Sequence, residues 1–180
     1  TLKFLIKAQA KILILSHRGR PLEKMKNQKV RGKNLNEFSL RKDARVLTKL
    51  LGKKVIFIPN FRFSEIKLIL NQAPEESVFL LENLRFLESE EKNDSELAQE
   101  LASLGDYYIN DAFAVSHRAN ASVAAITKFL PSYGGLGLEA EIRNLSQVMK
   151  NPKRPLVLIV GGGKAKDKVG ILKYFKKIVD

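Results

Sequence analysis

The stretch Val78-Phe-Leu-Leu-Glu-Asn-Leu-Arg85 places four consecutive apolar residues directly before a polar segment. A short continuous apolar run is typical of a strand buried on both faces, as in a parallel sheet covered by helices. Similar runs recur along the chain, at Lys11-Ile-Leu-Ile-Leu15, Val55-Ile-Phe-Ile58, Tyr107-Tyr-Ile109 and Leu156-Val-Leu-Ile-Val160. We therefore predict a buried, parallel strand at each of these positions.

Helical patterns separate the predicted strands. Leucine and alanine recur at helical spacing from Leu40 to Leu51, with Ser39 as the expected N-cap and Gly52 as the stop. Further helices are predicted around Ile66 to Leu70, from the cap Asp94 to Leu104, over Ser122 to Lys128, from about 138 to 150, and from about Asp167. Strands that alternate with helices pair in parallel through right-handed crossovers. The predicted fold class is an open, parallel, doubly wound (Rossmann-like) α/β sheet with helices on both faces.

Composition narrows the class of protein. The chain has 180 residues, 44% of them hydrophobic, which is enough for one core of ordinary size. No apolar run is long enough to span a bilayer, and Thr1-Leu-Lys-Phe4 does not begin a signal peptide. Without cysteine there is neither a disulfide framework nor a thiolate zinc site. These points predict a cytoplasmic protein without a membrane partner.

The net charge of +13 leaves three alternatives: a nucleic-acid binder, a binder of small anions, or a solvated basic surface. RNA-binding surfaces commonly interleave arginine with aromatic residues, and that pattern is not visible in this sequence. We therefore predict no specific nucleic-acid partner.

Polar segments follow three of the predicted strands at their carboxyl ends, where open α/β sheets bind their ligands. They are Ser16-His-Arg-Gly-Arg-Pro21, Glu82-Asn-Leu-Arg85 and Asn110-Asp-Ala-Phe-Ala-Val-Ser-His-Arg118. Arginines from three loops are thus expected at one edge, and the guanidinium fork suits carboxylate and phosphate oxygens. The alternative is that each arginine pairs with a nearby acid, such as Glu82 or Asp111. The convergence of three loops favours an anionic ligand.

Other groups of polar residues in the sequence do not predict a catalytic or metal site. Ser16-His17 and Ser116-His117 lack a third catalytic group, so nucleophilic catalysis is not predicted. The two histidines lie far apart in the sequence without an acid cluster beside them, so no metal ligands are predicted. Glu88-Ser-Glu-Glu91 is interpreted as a solvated loop.

A glycine-rich turn follows the last predicted strand. The segment Gly161-Gly-Gly-Lys-Ala-Lys-Asp-Lys168 combines three glycines with lysines before a helix start, which suits a polyphosphate. It is not a Walker A loop, because Ala165 follows Lys164, and Lys166 breaks the G-x-G-x-x-G pattern. A strand-to-helix turn with solvated lysines is the alternative.

Five ordered motifs resemble the phosphoglycerate kinase family almost from end to end. They are Ser16-His-Arg-Gly-Arg-Pro21; Leu80-Leu-Glu-Asn-Leu-Arg-Phe86 with Glu90-Glu-Lys-Asn-Asp94; Asn110-Asp-Ala-Phe113 with His117-Arg-Ala119 and Ala121-Ser122; Asn151-Pro-Lys-Arg-Pro155; and Gly161-Gly162 with Lys164, Asp167 and Lys168. One departure is Asn120, which stands where the family usually has a second histidine.

The resemblance implies reversible transfer of a phosphoryl group between 1,3-bisphosphoglycerate and ADP, giving 3-phosphoglycerate and ATP, as a step of glycolysis. It implies that the phosphoglycerate is bound by loop residues, namely His17, Arg18, Gly19, Arg20, Arg85 and Arg118. Arg20 and Lys164 are the expected catalytic residues, Lys164 through stabilisation of the transferring phosphoryl group. The nucleotide, as Mg-ATP or Mg-ADP, is expected to bind at Gly162, Gly163, Lys164 and Lys168. The magnesium ligands are expected outside this chain.

The resemblance also implies a domain organisation. Residues 1–134 correspond to the phosphoglycerate-binding domain without its first strand, 135–152 to the interdomain helix and linker, and 153–180 to the first strand and helix of a truncated nucleotide-binding domain. We therefore expect a monomer that binds phosphoglycerate without turning it over by itself, because most of the nucleotide site would come from a C-terminal domain. The competing hypothesis is a non-catalytic module that binds anions or nucleic acid through the same basic face.

Overall fold

The computed structural model of the chain describes residues 1–27, 35–161 and 169–180. The chain divides into two compact units, Thr1–Leu136 and Gly137–Asp180. Within the described ranges, no helix has both the length and the apolar character that crossing a membrane requires.

Helices and strands alternate along the chain, as the apolar runs predict. The α-helices are α1 (Leu2–Lys7), α2 (Pro21–Asn27), α3 (Arg41–Leu51), α4 (Phe63–Gln72), α5 (Glu88–Glu91), α6 (Ser95–Ala102), α7 (Leu136–Lys150) and α8 (Val169–Phe175). The strands are β1 (Ile12–Ile14), β2 (Val55–Ile58), β3 (Val78–Leu81), β4 (Tyr108–Asn110) and β5 (Ser132–Gly134). Short 3-10 helices cover Leu35–Glu37, Leu84–Phe86, Phe113–Val115 and Ala125–Lys128.

The main sheet has β3 at its centre and pairs it in parallel with β1 on one side and β2 on the other. In this register Leu13 lies opposite Phe79, and Phe57 lies opposite Leu80. All four residues of β3 are buried, which explains why this strand is continuously apolar. The parallel pairing confirms the predicted strand arrangement for these three runs.

Alternate residues of β3 enter two different apolar clusters. Val78 and Leu80 pack in a cluster that contains Ala44 of α3, whereas Phe79 and Leu81 pack in one that contains Ile66 of α4 and also residues of α6. Successive side chains of a strand point to opposite faces, so helices cover the sheet on both sides. This arrangement confirms the predicted α/β fold class.

The fourth predicted strand exists but does not join the main sheet. It is β4, and it pairs in parallel with β5 in a separate two-stranded sheet, with Ile109 opposite Tyr133. β5 was not predicted, because Ser132-Tyr-Gly134 contains no apolar run, and all three residues are exposed in the structure.

Two of the predicted helix boundaries, at Asp94 and Gly52, agree with the structure, and a third, at Ser39, does not. Asp94 caps α6, since its carboxylate accepts a hydrogen bond from the backbone of Leu97 at 2.8 Å. Gly52 ends α3 in the left-handed conformation, with φ of 63°. The prediction of Ser39 as N-cap is wrong: Leu40 takes that position, and the Ser39 hydroxyl donates to Glu82 instead.

The predicted α-helix over Ser122 to Lys128 is also wrong. Its first residues form turns, and only Ala125–Lys128 is helical, as a 3-10 helix. The backbone N–H groups of Ser122 and Ala125 donate to the side chains of Glu90 and Asn93, each at 3.0 Å. These two contacts hold the turn and the 3-10 helix to α5 and to the residue Asn93 that follows it.

α7 confirms the helix predicted from 138 to 150, but the strand predicted at 156–160 does not form. A strand needs a partner ladder, and none of the described residues pairs with this run. Ile159 is 91% exposed, and Leu156 exchanges hydrogen bonds with Asp180. The helix predicted from Asp167 is observed from Val169, while Asp167 lies outside the described residues.

Candidate functional site

The loop after β1 takes its shape from a glycine. Gly19 adopts a positive φ of 57°, a conformation that side chains other than glycine rarely adopt. The ring of Phe38 lies so close that a Cβ added to Gly19 would be 2.7 Å from Phe38 Cε1. Both the backbone angle and the close approach therefore require glycine between Arg18 and Arg20.

Asn83, fully buried at the end of β3, holds this loop in place. Its side-chain N–H groups donate to the carbonyl oxygens of Arg18 and Phe38, each at 2.9 Å. Its side-chain oxygen accepts from the backbone N–H groups of Arg18 at 3.3 Å and Arg85 at 3.1 Å. The side-chain amide of Asn83 thus bonds to backbone groups of three chain segments, which fixes the loop against the sheet edge. Sequence reasoning did not single out Asn83.

Glu82 serves the same scaffold and does not pair with an arginine. Its carboxylate accepts from the Ser39 hydroxyl at 2.8 Å, the Leu40 backbone at 2.9 Å and the Asn83 backbone at 2.8 Å. The buried charge is stabilised by these three donors, which connect the start of α3 to the end of β3. The hypothesis that Glu82 neutralises one of the loop arginines is therefore wrong.

Arg85 is only 6% exposed and points its guanidinium at the same loop. Its Nη1 donates to the carbonyl oxygen of Gly19 at 2.8 Å, and its Nε lies 3.4 Å from a carboxylate oxygen of Glu91. Burial lowers the pKa of this guanidinium, and the positive charges of Arg118 and Arg20 lower it further, against the opposing effect of Glu91. Arg85 thus supports the loop through the Gly19 carbonyl, and its positive charge interacts with the neighbouring charged residues.

Arg18 and Arg20 are more exposed and lie beside acids. Arg18 contacts Asp43 of α3 at 2.5 Å, and Arg20 contacts Glu23 of α2 at 2.7 Å. Pairs this exposed are worth little free energy, so an incoming anion can compete for both guanidinium groups. Among the described residues, the acids within ion-pair distance of Arg18, Arg20 and Arg85 are therefore Asp43, Glu23 and Glu91.

Arg118 comes from the loop after β4, and within the described ranges no carboxylate lies within ion-pair distance of it. Its charge nevertheless acts on the other two loops. The pKa of His17 is lowered first by burial and then by the charges of Arg85 and Arg118, while Glu90 and Glu91 act in the opposite direction. His17, Arg20, Arg85 and Arg118, from three separate loops, thus lie near enough to one another for their charges to interact, with Glu90 and Glu91 acting against them.

Glu90 was interpreted as part of a solvated loop, and that interpretation is wrong. The residue is 3% exposed, and its carboxylate accepts hydrogen bonds from Asn120 and Ser122. Asn120, at the position where the family resemblance suggests histidine, therefore turns its side chain to this acid. Charge and periodicity do not distinguish Glu90 from Glu88 and Glu91, and its one signal in the sequence is its place in the family-like segment Glu90-Glu-Lys-Asn-Asp94.

The expected nucleotide-binding residues Gly162, Gly163, Lys164 and Lys168 lie outside the described residues. In residues 1–27, 35–161 and 169–180, no three histidine, aspartate or glutamate side chains are grouped in a way that could hold a metal ion.

Comparison with known proteins gives a consistent result. The phosphoglycerate kinase family model matches residues 1–180. The phosphoglycerate kinase of Coprothermobacter proteolyticus is 43% identical over 180 residues, which are 100% of this chain and 44% of that protein. That of Bartonella tribocorum is 44% identical over 180 residues, again all of this chain and 43% of that protein.

Solved structures show the same similarity. The phosphoglycerate kinase of Coxiella burnetii superimposes with a TM-score of 0.77 and 36% identity, over 99% of this chain and 42% of that one. That of Pyrococcus horikoshii OT3 gives a TM-score of 0.80 and 27% identity, over 98% of this chain and 42% of that one. This chain therefore spans less than half the length of the relatives that it matches. Since the family model covers every residue and the fold agrees, the chain belongs to the phosphoglycerate kinase family.

Proposed function

We propose that this chain supplies the phosphoglycerate-binding side of a phosphoglycerate kinase. The complete enzyme would reversibly transfer a phosphoryl group between 1,3-bisphosphoglycerate and ADP, giving 3-phosphoglycerate and ATP. The observation that carries the proposal is the convergence of His17, Arg20, Arg85 and Arg118 from three loops. Cations from separate loops repel one another, and an anionic ligand with both a carboxylate and a phosphate offsets that repulsion.

The residues of the site would have different roles, since some would contact the anion and others would support the loop. Arg20, Arg118 and Arg18 have guanidinium groups that an exposed anion can reach, and His17 adds a positive charge when it is protonated. Arg85 and Gly19 would act mainly through the shape of the loop, because Arg85 is buried against the Gly19 carbonyl. Phosphoryl transfer depends on positioning and on compensation of negative charge, so rigidly held arginines suit it. Arg20 would take part both in binding the phosphoglycerate and in catalysis.

The nucleotide side of the proposal depends on family membership. Gly162, Gly163, Lys164 and Lys168 would contact Mg-ADP or Mg-ATP, with Lys164 beside the transferring phosphoryl group. When bound, the nucleotide accepts or supplies that group. Residues 1–134 would be the phosphoglycerate-binding domain, 135–152 the interdomain helix and linker, and 153–180 the beginning of the nucleotide-binding domain.

We propose further that the protein works as a monomer in the cytoplasm. A polypeptide restricted to these 180 residues would bind phosphoglycerate but would not turn over, because in-line transfer needs donor and acceptor held by facing surfaces. In a coupled assay with Mg-ATP and 3-phosphoglycerate, this polypeptide should show background rates. Robust turnover that Lys164→Ala abolishes would contradict this part of the proposal.

The binding proposal is tested by calorimetric titration of the 180-residue polypeptide with 3-phosphoglycerate. Inorganic sulfate, at matched ionic strength, reports generic anion binding, and a random-sequence DNA duplex reports the competing polyanion hypothesis. We expect 3-phosphoglycerate to bind more tightly than sulfate, since it engages arginines from more than one loop. Equal affinity for both small anions would reduce the site to a generic anion patch. Tight duplex binding that weakens steeply with salt would favour the competing module.

A further inference from the structure

Glu90 is a buried carboxylate at the end of α5, and it lies close to the loop arginines without pairing with any of them. Its Oε1 accepts from the Ser122 hydroxyl at 2.6 Å and from Asn120 Nδ2 at 3.2 Å. Its Oε2 accepts from the Ser122 backbone N–H at 3.0 Å. Three donors from one short segment therefore satisfy a charge that would otherwise be costly to bury.

The backbone of the same region holds that segment as well. The carbonyl oxygen of Glu90 accepts from the Ala121 N–H at 2.9 Å. Asn93, which follows α5 with a positive φ of 54°, accepts from the Ala125 N–H at 3.0 Å through its side chain. Residues 120–125 are thus fixed to α5 and its end by contacts that are distant in sequence.

This anchored segment begins two residues after Arg118. The loop 111–119 that carries Arg118 is largely exposed, so few packing contacts determine its position. At its start the loop is held by Asn110, whose side chain accepts from the Ala112 N–H at 2.9 Å and donates to the Ser116 hydroxyl at 3.1 Å. At its other end it is held by Glu90. Arg118 therefore lies between two anchored points, Asn110 on one side and the residues bound to Glu90 on the other.

The segment from Arg85 to Glu91 joins two of the converging loops. Arg85 at its start is bound to the Gly19 carbonyl, and Glu90 near its end is bound to residues 120–122. One short piece of chain thus sets the separation between the Arg85 guanidinium and the Arg118 loop. The charge of Glu90 also acts on His17, where it opposes the lowering of the pKa by the two arginines.

We infer that Glu90 is a positioning residue of the anion site: its buried carboxylate holds residues 120–122 so that Arg118 faces the ligand bound by His17 and Arg20. The inference rests on the proposed function, because it takes phosphoglycerate as that ligand. It assigns Glu90 no contact with the substrate, and its effect on binding passes through Arg118.

A double-mutant cycle tests this inference. Glu90→Gln keeps the shape of the side chain but replaces one acceptor oxygen by a donor that faces Ser122 or Asn120. Affinities for 3-phosphoglycerate and for inorganic phosphate are measured in the wild type, Glu90→Gln, Arg118→Ala and the double variant. Glu88→Gln is the matched control, because it makes the same chemical change in the same helix at an exposed residue that pairs with Lys92.

We expect Glu90→Gln to weaken 3-phosphoglycerate binding by about tenfold, roughly the factor that corresponds to loss of one charged hydrogen bond between Arg118 and the ligand. In the Arg118→Ala background the same change should have no further effect on affinity, and Glu88→Gln should leave affinity within twofold of the wild type, roughly the scatter expected of a surface change. An equal loss of affinity with and without Arg118 would overturn the inference, since Glu90 would then act through the fold in general.

If Glu90→Gln does not fold, Ser122→Ala takes its place in the cycle, because it removes the hydroxyl donor and leaves the carboxylate and the backbone N–H of residue 122. The two proposals fail separately. Binding of 3-phosphoglycerate without coupling between residues 90 and 118 contradicts the role of Glu90 and leaves the proposed function standing. Coupling seen with phosphate, in a chain that does not prefer 3-phosphoglycerate, supports the role of Glu90 and contradicts the proposed function. Binding of neither anion contradicts both.

Discussion

The guanidinium of Arg85 donates a hydrogen bond to the carbonyl oxygen of Gly19 at 2.8 Å, across 66 positions of sequence. This bond joins the end of the central strand to the loop after β1, which carries His17 and Arg20. Arg85 is therefore a support of the anion site as well as one of its charges. Its replacement should affect the stability of the fold and the affinity for ligand together.

Arg85→Ala should lower the free energy of unfolding by about 1–3 kcal/mol, because the Gly19 carbonyl loses a charged donor. Affinity for 3-phosphoglycerate should fall by roughly tenfold or more, since the loop loses its support. Arg85→Lys should recover only part of both losses, because an ammonium lacks the planar fork. Urea denaturation and calorimetry measure the two effects.

Arg62→Ala is the control: that arginine is exposed and pairs with Glu65, so stability should change by less than about 0.5 kcal/mol. Unchanged stability and affinity in Arg85→Ala would disprove the supporting role.

Gly19 and Gly52, both with positive φ, form a matched pair for a second prediction. Gly52→Ala, with no atom within 4 Å of the added Cβ, should cost about 1 kcal/mol for the left-handed backbone alone. Gly19→Ala should cost about 1–3 kcal/mol more, because the new Cβ overlaps the Phe38 ring. Phe38→Ala should relieve the additional cost in the double variant. Thermal or chemical denaturation of the four variants suffices, and equal losses at both glycines would show that the Phe38 contact is unimportant.

The third prediction concerns pH. Burial, with the charges of Arg85 and Arg118, lowers the pKa of His17 from its ordinary value of 6.5. Between the lower folded pKa and about pH 6.5, the unfolded chain therefore binds more protons at His17 than the folded chain does. The His17 contribution to the free energy of unfolding is complete above about pH 6.5 and is lost as pH falls toward the folded pKa. His17→Gln should remove that part of the pH dependence of unfolding.

A bound anion reverses the effect on His17, because it favours the protonated imidazole. Saturation with 3-phosphoglycerate should therefore raise the pKa of His17, and binding should take up protons at pH values near that pKa. An NMR titration of the His17 ring, with and without 3-phosphoglycerate, measures this directly. If the pKa of His17 is the same in both states, His17 does not belong to the site.

The fold could be predicted wherever burial alone decides the structure. Val78–Leu81 is apolar at every position because helices cover both faces of β3, and the sequence pattern records that directly. The pattern failed where contacts with distant residues decide. Of the helix expected over 122–128 only Ala125–Lys128 is helical, in a segment whose backbone N–H groups donate to the distant side chains of Glu90 and Asn93. The apolar run 156–160 did not become a strand because it has no ladder partner within the described ranges.

The candidate site shows the same division. Its arginines could be predicted, since each follows a strand at the edge where ligands of such sheets bind. Asn83 and Glu90 lie in the family-like motifs, but their contacts could not be predicted, because their partners are between 30 and 65 positions away. A polar side chain that is buried by such contacts does not belong to a periodic apolar pattern. In the sequence it looks like the exposed polar residues beside it.

The most direct test of the account is a map of backbone amide resonances of the isotope-labelled 180-residue polypeptide during titration with 3-phosphoglycerate. We predict saturable shifts that cluster at Arg20, Arg85 and Arg118, in the three loops that the structure brings together, and that exceed those caused by equal concentrations of sulfate. The absence of shifts in a folded chain, or shifts confined to one loop, would contradict the claim that these loops form a single phosphoglycerate site.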